Sequence, residues 1–187
     1  MGFTRAELES YVGATVDDLV GPGLRLLFVG INPGLWTAAT QTHFAYPGNR
    51  FYPALQMAGI IERKIDRGVG MSDEDRRHLL DRGIGITNVA HRATAKASEL
   101  SRQELVAGGE ILRAFVRTHR PQVVAIAGVT AYRTAFAEPK AVTGEHPAGF
   151  EGRRLWIVPN PSGLNAHETV ETLAEAYAAP ARAAGVI

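Results

Sequence analysis

Four short runs along the chain are apolar almost without interruption: Leu24–Val29, Gly85–Val89, Val123–Ala127 and Leu155–Val158. Each has the length of a strand, is rich in Val, Ile or Leu, and lies close to a Gly or Pro. None alternates apolar with polar, so the predicted strands are buried on both faces, as in a parallel sheet covered by helices. Between them the apolar spacing lengthens to three or four residues. Ser72-x-x-Asp75 opens a helix reaching about Leu80. Ser101-x-x-Glu104 opens a stronger one, with Leu105, Ile111, Leu112 and Phe115 or Val116 on its apolar face. In both, a hydroxyl and a carboxylate three residues apart are placed to bond each other's backbone N–H groups. Gly108 and Gly109 lower the helix propensity of the second, which implies close packing against them. Thr130–Phe136 and Val170–Ala184 are the remaining helices. This alternation predicts the α/β class: a three-layer α/β/α sandwich around a short, mainly parallel central sheet of about four strands.

The 187 residues suit one domain spanning 1–187, with no internal repeat, low-complexity tract or linker. Two connections stand out. Ile31–Gly48 is long for a strand-to-helix loop, and such loops are often functional. Glu62–Met71 is polar and Gly-containing, and is expected to be an exposed, mobile loop. No apolar run is long enough for a membrane span, and the charges of Arg5–Glu9 oppose a secretory signal, so a cytoplasmic address is expected. Cysteine is absent, which excludes disulfides, Cys-ligated zinc and iron–sulfur clusters. The six histidines are scattered without H-E-x-x-H spacing, so no metal or other cofactor is expected. With 20 basic against 19 acidic residues the net charge is only +1. Any nucleic-acid contact must therefore come from a local patch.

In open α/β sheets, ligands bind beyond the carboxyl ends of the strands. Two such ends are unusual here: Gly30-Ile31-Asn32-Pro33-Gly34 and Pro159-Asn160-Pro161-Ser162-Gly163-Leu164-Asn165. Each joins rigid Pro, permissive Gly and an amide side chain in one turn. The first is neither a dinucleotide fingerprint nor a P-loop, though its backbone N–H groups suit an anion cradle. Phe44, Asn49-Arg50 and Asn88 also fall near strand ends.

These segments resemble the mismatch-specific uracil/thymine DNA glycosylase family, a branch of the uracil-DNA glycosylase superfamily. The likeness rests on Gly30-Ile31-Asn32-Pro33-Gly34-Leu35, Phe44-Ala45-Tyr46-Pro47-Gly48-Asn49-Arg50-Phe51, Gly85-Ile86-Thr87-Asn88-Val89, Ser101–Ile111 and Asn160-Pro161-Ser162-Gly163-Leu164, in order along nearly the whole chain. It implies a DNA repair enzyme that everts uracil from duplex DNA and hydrolyses its N-glycosidic bond, in G:U mispairs above all. Asn32 would then position the water that attacks C1′, and Ile31 would line the base pocket. A carboxamide orients water but takes no proton from it. Fast members of the superfamily carry Asp at this turn, so a dissociative and slow reaction is implied.

The resemblance further implies that Phe44 stacks on the everted ring and that Asn88 reads O4 and N3–H of the pyrimidine. Asn160 has two open readings: a donor to the departing base, or a scaffold for the loop that follows. Gly163-Leu164-Asn165 is similar to the family's wedge, Leu164 filling the gap left by the base while Gly163 and Asn165 face the orphaned partner. Ala166 stands where relatives often carry Arg. Trp36 would meet the base's 5-position. His91 is either an acid/base group or a surface residue, and Arg50, Arg92, Lys96 and Arg102 are candidates for the basic patch. The expected partner is duplex DNA containing uracil or a mismatched base, bound by a monomer and away from any membrane. Two rivals remain: a non-catalytic DNA-lesion binding module, and a small-molecule nucleoside or nucleotide hydrolase.

Overall fold

The computed structural model describes residues 2–187. Its centre is a five-stranded sheet of β1 (Leu26–Gly30), β2 (Ile84–Asn88), β3 (Val123–Ala127), β4 (Gly144–Phe150) and β5 (Arg153–Val158). Their spatial order is β2-β1-β3-β5-β4. Four of them run parallel, and β4 lies antiparallel against β5. The parallel four are the apolar runs read from sequence, β3 with the same ends and the others with ends shifted by at most two residues. The fifth was not expected. Its residues, Gly-Glu-His-Pro-Ala-Gly-Phe, form an edge on which only Phe150 is buried, and the pairing slips between His146 and Phe150. An edge strand needs little apolar surface and tolerates Pro, so hydrophobic patterning does not reveal it.

Helices cover both faces. Side chains alternate along β1, so Leu26 and Phe28 enter one core while Leu27 and Val29 enter another. The first core is closed by α3 (Phe51–Met57), α4 (Asp73–Asp81) and α7 (Val170–Ala183), through Phe51, Leu79 and Tyr177 among others. The second is closed by α5 (Arg102–His119) and α6 (Val129–Ala135), through Leu112, Val116 and Tyr132. The result is the three-layer α/β/α sandwich. The α4 and α5 starts are the capping boxes seen in the sequence: Ser72 Oγ accepts from Asp75 N at 3.1 Å, and Ser101 Oγ from Glu104 N at 3.1 Å. Gly108 lets α5 approach the end of β2, since a Cβ there would stand 2.1 Å from the Val89 carbonyl oxygen.

Two connections differ from expectation. The long Ile31–Gly48 segment contains α2 (Leu35–Thr40), which packs with α1 (Arg5–Glu9) and its flanking residues over a small cluster of Val16, Leu35, Ala38 and Ala93. Six residues are too few for the helical period to declare itself. The Glu62–Met71 loop is pinned rather than wholly exposed, because Ile65 and Met71 are buried in the first core. One isoleucine in a polar stretch carries no periodicity, so its burial is invisible before folding.

Candidate active site

The chain leaves β1 toward β2 and leaves the adjacent β3 toward β4 and β5, so the connections from these two strands diverge to opposite sides. That topological switch point is where open α/β sheets leave a crevice. Here a cleft of about 430 Å³ opens beyond the carboxyl ends of the parallel strands and is lined by Ile31, Asn32, Phe44, Asn88, Asn160 and Leu164. Six of the eight site residues expected from sequence thus meet at one rim. Gly128, at φ 101°, ends β3 beneath them. A Cβ there would lie 3.2 Å from Ile31 Cδ1 and 3.9 Å from Asn160 Cβ, so the glycine lets the β1 and β5 turns come together.

The β1 turn is tied to the segment after β2. Val89 N donates to Gly30 O at 2.9 Å, Ala90 N to Ile31 O at 2.9 Å, and Thr94 N to Pro33 O at 3.1 Å. Asn32 is fixed by the same segment: its Nδ2 donates to Arg92 O at 2.9 Å, Thr94 Oγ1 at 2.7 Å and Pro33 O at 3.1 Å. Thr94 spends its own proton on Lys96 O, so its oxygen is an acceptor toward Asn32. Three acceptors around one amide nitrogen determine which end of Asn32 is which. Its Oδ1 has no partner among the described residues, leaving a hydrogen-bond acceptor for the cleft.

Asn160 is held the opposite way round. Its Oδ1 accepts from Ser162 N at 3.0 Å, in a turn that Asn165 Nδ2 closes by donating to Asn160 O at 3.2 Å. The Asn160 Nδ2 donors are the atoms without a partner among the described residues. The oxygen therefore braces the loop, and the nitrogen is left for the cleft.

Phe44 sits at φ 56°, a left-handed conformation rare for a bulky residue. One face stacks on Phe51, with ring centroids 4.1 Å apart and planes 27° apart. Its neighbours hold it there: Tyr52 Oη donates to His43 O at 2.8 Å, and Ala45 N to Thr37 Oγ1 at 3.3 Å. Asn88 lies beside Gly30 in the sheet register, and a Cβ on Gly30 would stand 2.5 Å from Asn88 Oδ1 and 3.2 Å from Phe44 Cζ. The Asn88 Nδ2 lies 3.2 Å from His43 Nδ1, while His43 Nε2 lies 3.0 Å from Asp17 O. Burial pushes the His43 pKa down, against smaller opposing effects that include Asp18. His43 also lines the cleft, and sequence reading passed over it as one of six scattered histidines. Its position immediately before Phe44 was the available signal. His91 is not among the lining residues. Trp36 is, edge-on to Tyr46, with its indole Nε1 buried and without a partner among the described residues.

Leu164 projects from the β5 loop with 86% of its surface exposed. The loop beneath it is built around Arg50. The Arg50 backbone N donates to Pro161 O at 3.0 Å. Its guanidinium donates to Asn165 O at 2.9 Å, Glu168 O at 2.5 Å and Gly163 O at 3.3 Å. Gly163 touches the first loop, where a Cβ would meet Gly48 O at 2.5 Å. Of the two residues expected at a partner base, Asn165 has its side chain engaged within the loop and Gly163 has its carbonyl on Arg50, and neither lines the cleft. Two expected phosphate contacts are likewise committed elsewhere. Arg50 is spent on these carbonyls, and Arg92 pairs with Glu104 at 2.7 Å. That hydrogen bond and the α5 cap hold the Glu104 pKa down to about 2. Lys96 remains exposed at the cleft. Among the described residues no group of three or more His, Cys, Asp or Glu is arranged as a metal site, and no helix is long and apolar enough to cross a membrane.

The sequence profile of the uracil DNA glycosylase superfamily matches residues 18–180, a stretch that holds every polar cleft side chain described above. Among solved structures, the chain is similar to a solution NMR structure from Methanosarcina acetivorans described as a candidate uracil DNA glycosylase. The two share 15% identity over 92% of this chain and 98% of that one, with a TM-score of 0.63. At that identity the likeness is one of fold.

Proposed function

The chain belongs to the uracil DNA glycosylase superfamily, and from that membership and the cleft we propose that it is a monofunctional DNA N-glycosylase of the mismatch-specific kind. It draws uracil out of duplex DNA, from G:U mispairs above all, and hydrolyses the bond between N1 and C1′. The observation that carries this reading is the pair of oppositely presented amides, Asn32 offering an acceptor and Asn160 offering donors in the same cleft.

The two amides match the two demands of the reaction. As the glycosidic bond breaks, its electron pair leaves with the base, whose O2 and N1 become negative, while C1′ becomes cationic. Preorganised donors aimed at developing negative charge are the strongest lever available to such a site. The Asn160 N–H₂ group supplies them. Water then adds to C1′, oriented by a hydrogen bond to Asn32 Oδ1, and releases its proton to solvent or to the departing base. The products are free uracil and an abasic site. Since an amide accepts a hydrogen bond but not a proton, the enzyme forgoes the ~10²–10⁴-fold that a general base supplies. Phe44 presents its second face to the everted ring. Leu164, mostly exposed, is the side chain suited to fill the space the base vacates, and a small-molecule hydrolase has no use for it.

The test is incubation with a uracil-containing G:U duplex, followed by alkali to break abasic strands, alongside Asn32→Ala. Strand breaks by the unmodified chain, lost in the variant while duplex binding is kept, support the glycosylase. Binding without breaks makes the protein a lesion-binding module, and neither overturns the DNA assignment.

A further inference from the structure

We propose that His43 is a positioning residue that locks the Asn88 amide in the orientation complementary to keto pyrimidines such as uracil, and so rejects amino pyrimidines such as cytosine. The inference rests on the proposed function and extends it to how the base edge is read.

A carboxamide is nearly symmetric in shape, and its oxygen and nitrogen exchange places by a half-turn about one bond. Uracil presents O4 as an acceptor and N3–H as a donor, whereas cytosine presents N4–H₂ as a donor and N3 as an acceptor. One orientation of Asn88 therefore matches uracil, with Oδ1 toward N3–H and an Nδ2 proton toward O4, and the reversed one matches cytosine. An unrestrained amide would serve both. Discrimination requires something that fixes it.

The chain from Asp17 through His43 to Asn88 is that fixture. The Asp17 carbonyl can only accept, so His43 Nε2, 3.0 Å away, must carry the ring proton. A neutral imidazole with its proton on Nε2 has a bare lone pair on Nδ1, which then accepts from Asn88 Nδ2 at 3.2 Å. Reversal would set Asn88 Oδ1 against that lone pair, acceptor on acceptor, with both side chains buried. The ring is itself buried and anchored at Nε2 by the Asp17 carbonyl, and Tyr52 Oη holds the residue's own backbone carbonyl at 2.8 Å. Asn88 uses one Nδ2 proton on His43, and its Oδ1 and second proton have no partner among the described residues. Gly30 gives that oxygen its space, because any Cβ there would stand 2.5 Å from it. A fixed backbone carbonyl thus dictates, through one imidazole, which pyrimidine edge fits.

Three measurements test this. First, ¹⁵N NMR of the unmodified protein should show His43 neutral, protonated on Nε2 and accepting at Nδ1; an Nδ1–H tautomer overturns the lock and needs no turnover to be seen. Second, single-turnover excision from duplexes carrying uracil or cytosine should show that His43→Phe, which keeps a ring but no acceptor, lowers the uracil-to-cytosine preference by about 10-fold or more. Third, His43→Asn, whose side-chain oxygen reaches the place of Nδ1, should restore most of that preference. Unchanged preference in His43→Phe, or equal loss in both variants, overturns the proposal while leaving the glycosylase intact. If the unmodified chain releases no uracil, the functional reading fails and the selectivity claim with it, and the NMR result still judges the lock.

Discussion

A side-chain amide has an acceptor at one end and donors at the other, and its neighbours decide which end is offered. Asn32 is surrounded by acceptors at its nitrogen, so it offers oxygen; Asn160 has its oxygen bound in a turn, so it offers nitrogen. The residue types and positions were legible in the sequence, as amides in rigid turns after two strands. The offered atom was not, because the partners of Asn32 come from Arg92 and Thr94, some sixty residues later. This arrangement argues against reaching a faster enzyme by a single change. In Asn32→Asp a carboxylate oxygen would face the carbonyls of Pro33 and Arg92, neither of which can donate. Urea denaturation should show a loss of about 1–3 kcal/mol, the cost of unsatisfied buried polar groups, with no gain in excision rate. Wild-type stability in that variant would contradict the assigned orientation.

Among elements, the loop after β5 depends on a residue from the connection that precedes α3. Arg50 donates through its guanidinium to three carbonyls of that loop and through its backbone to a fourth. The fork reaches these carbonyls from two nitrogens at fixed spacing, which the single nitrogen of a lysine ammonium does not reproduce. Extruding a base costs a few kcal/mol of stacking, which an inserted side chain recovers in part. Leu164→Ala should therefore slow excision from a G:U duplex by roughly 10-fold or more while sparing a single-stranded substrate, where nothing needs to be invaded. Arg50→Met should reproduce that pattern, and Arg50→Lys should fall between. Losses of equal size on both substrates, in single-turnover assays, would remove Leu164 and its support from any wedge role. The Gly163-Leu164-Asn165 motif proposed as a wedge was visible in the sequence, whereas Arg50 was read as a phosphate contact. Charge alone does not distinguish a cation facing DNA from one spent on its own backbone.

For the whole molecule, a buried neutral histidine couples the site to global stability. In the unfolded chain His43 titrates near its ordinary 6.5, while in the folded protein burial holds its pKa lower, with Arg76 and His91 adding to the depression and Asp18 opposing it. Below pH 6.5 the unfolded state then binds the extra proton, so unfolding free energy falls as pH falls toward the folded value. A second decline belongs to Glu104, whose contribution is complete above about 4.5 and is lost as pH drops toward about 2. Denaturation midpoints between pH 7.5 and 5 should fall in the unmodified protein and be flatter in His43→Asn, where the titrating group is gone; identical slopes would contradict the buried neutral ring. The sequence by itself determined the four parallel strands, the capped starts of α4 and α5, the two turns that carry Asn32 and Asn160, and the family resemblance. Each of these is a local pattern, set by burial on two faces or by contacts within a few residues. Only the tertiary structure decided the edge strand β4, the pinning of Ile65, the engagement of Arg50 and Arg92, and the relay from Asp17 through His43 to Asn88. Those depend on partners brought together from distant parts of the chain, and hydrogen-bond direction between such partners leaves no trace in residue order.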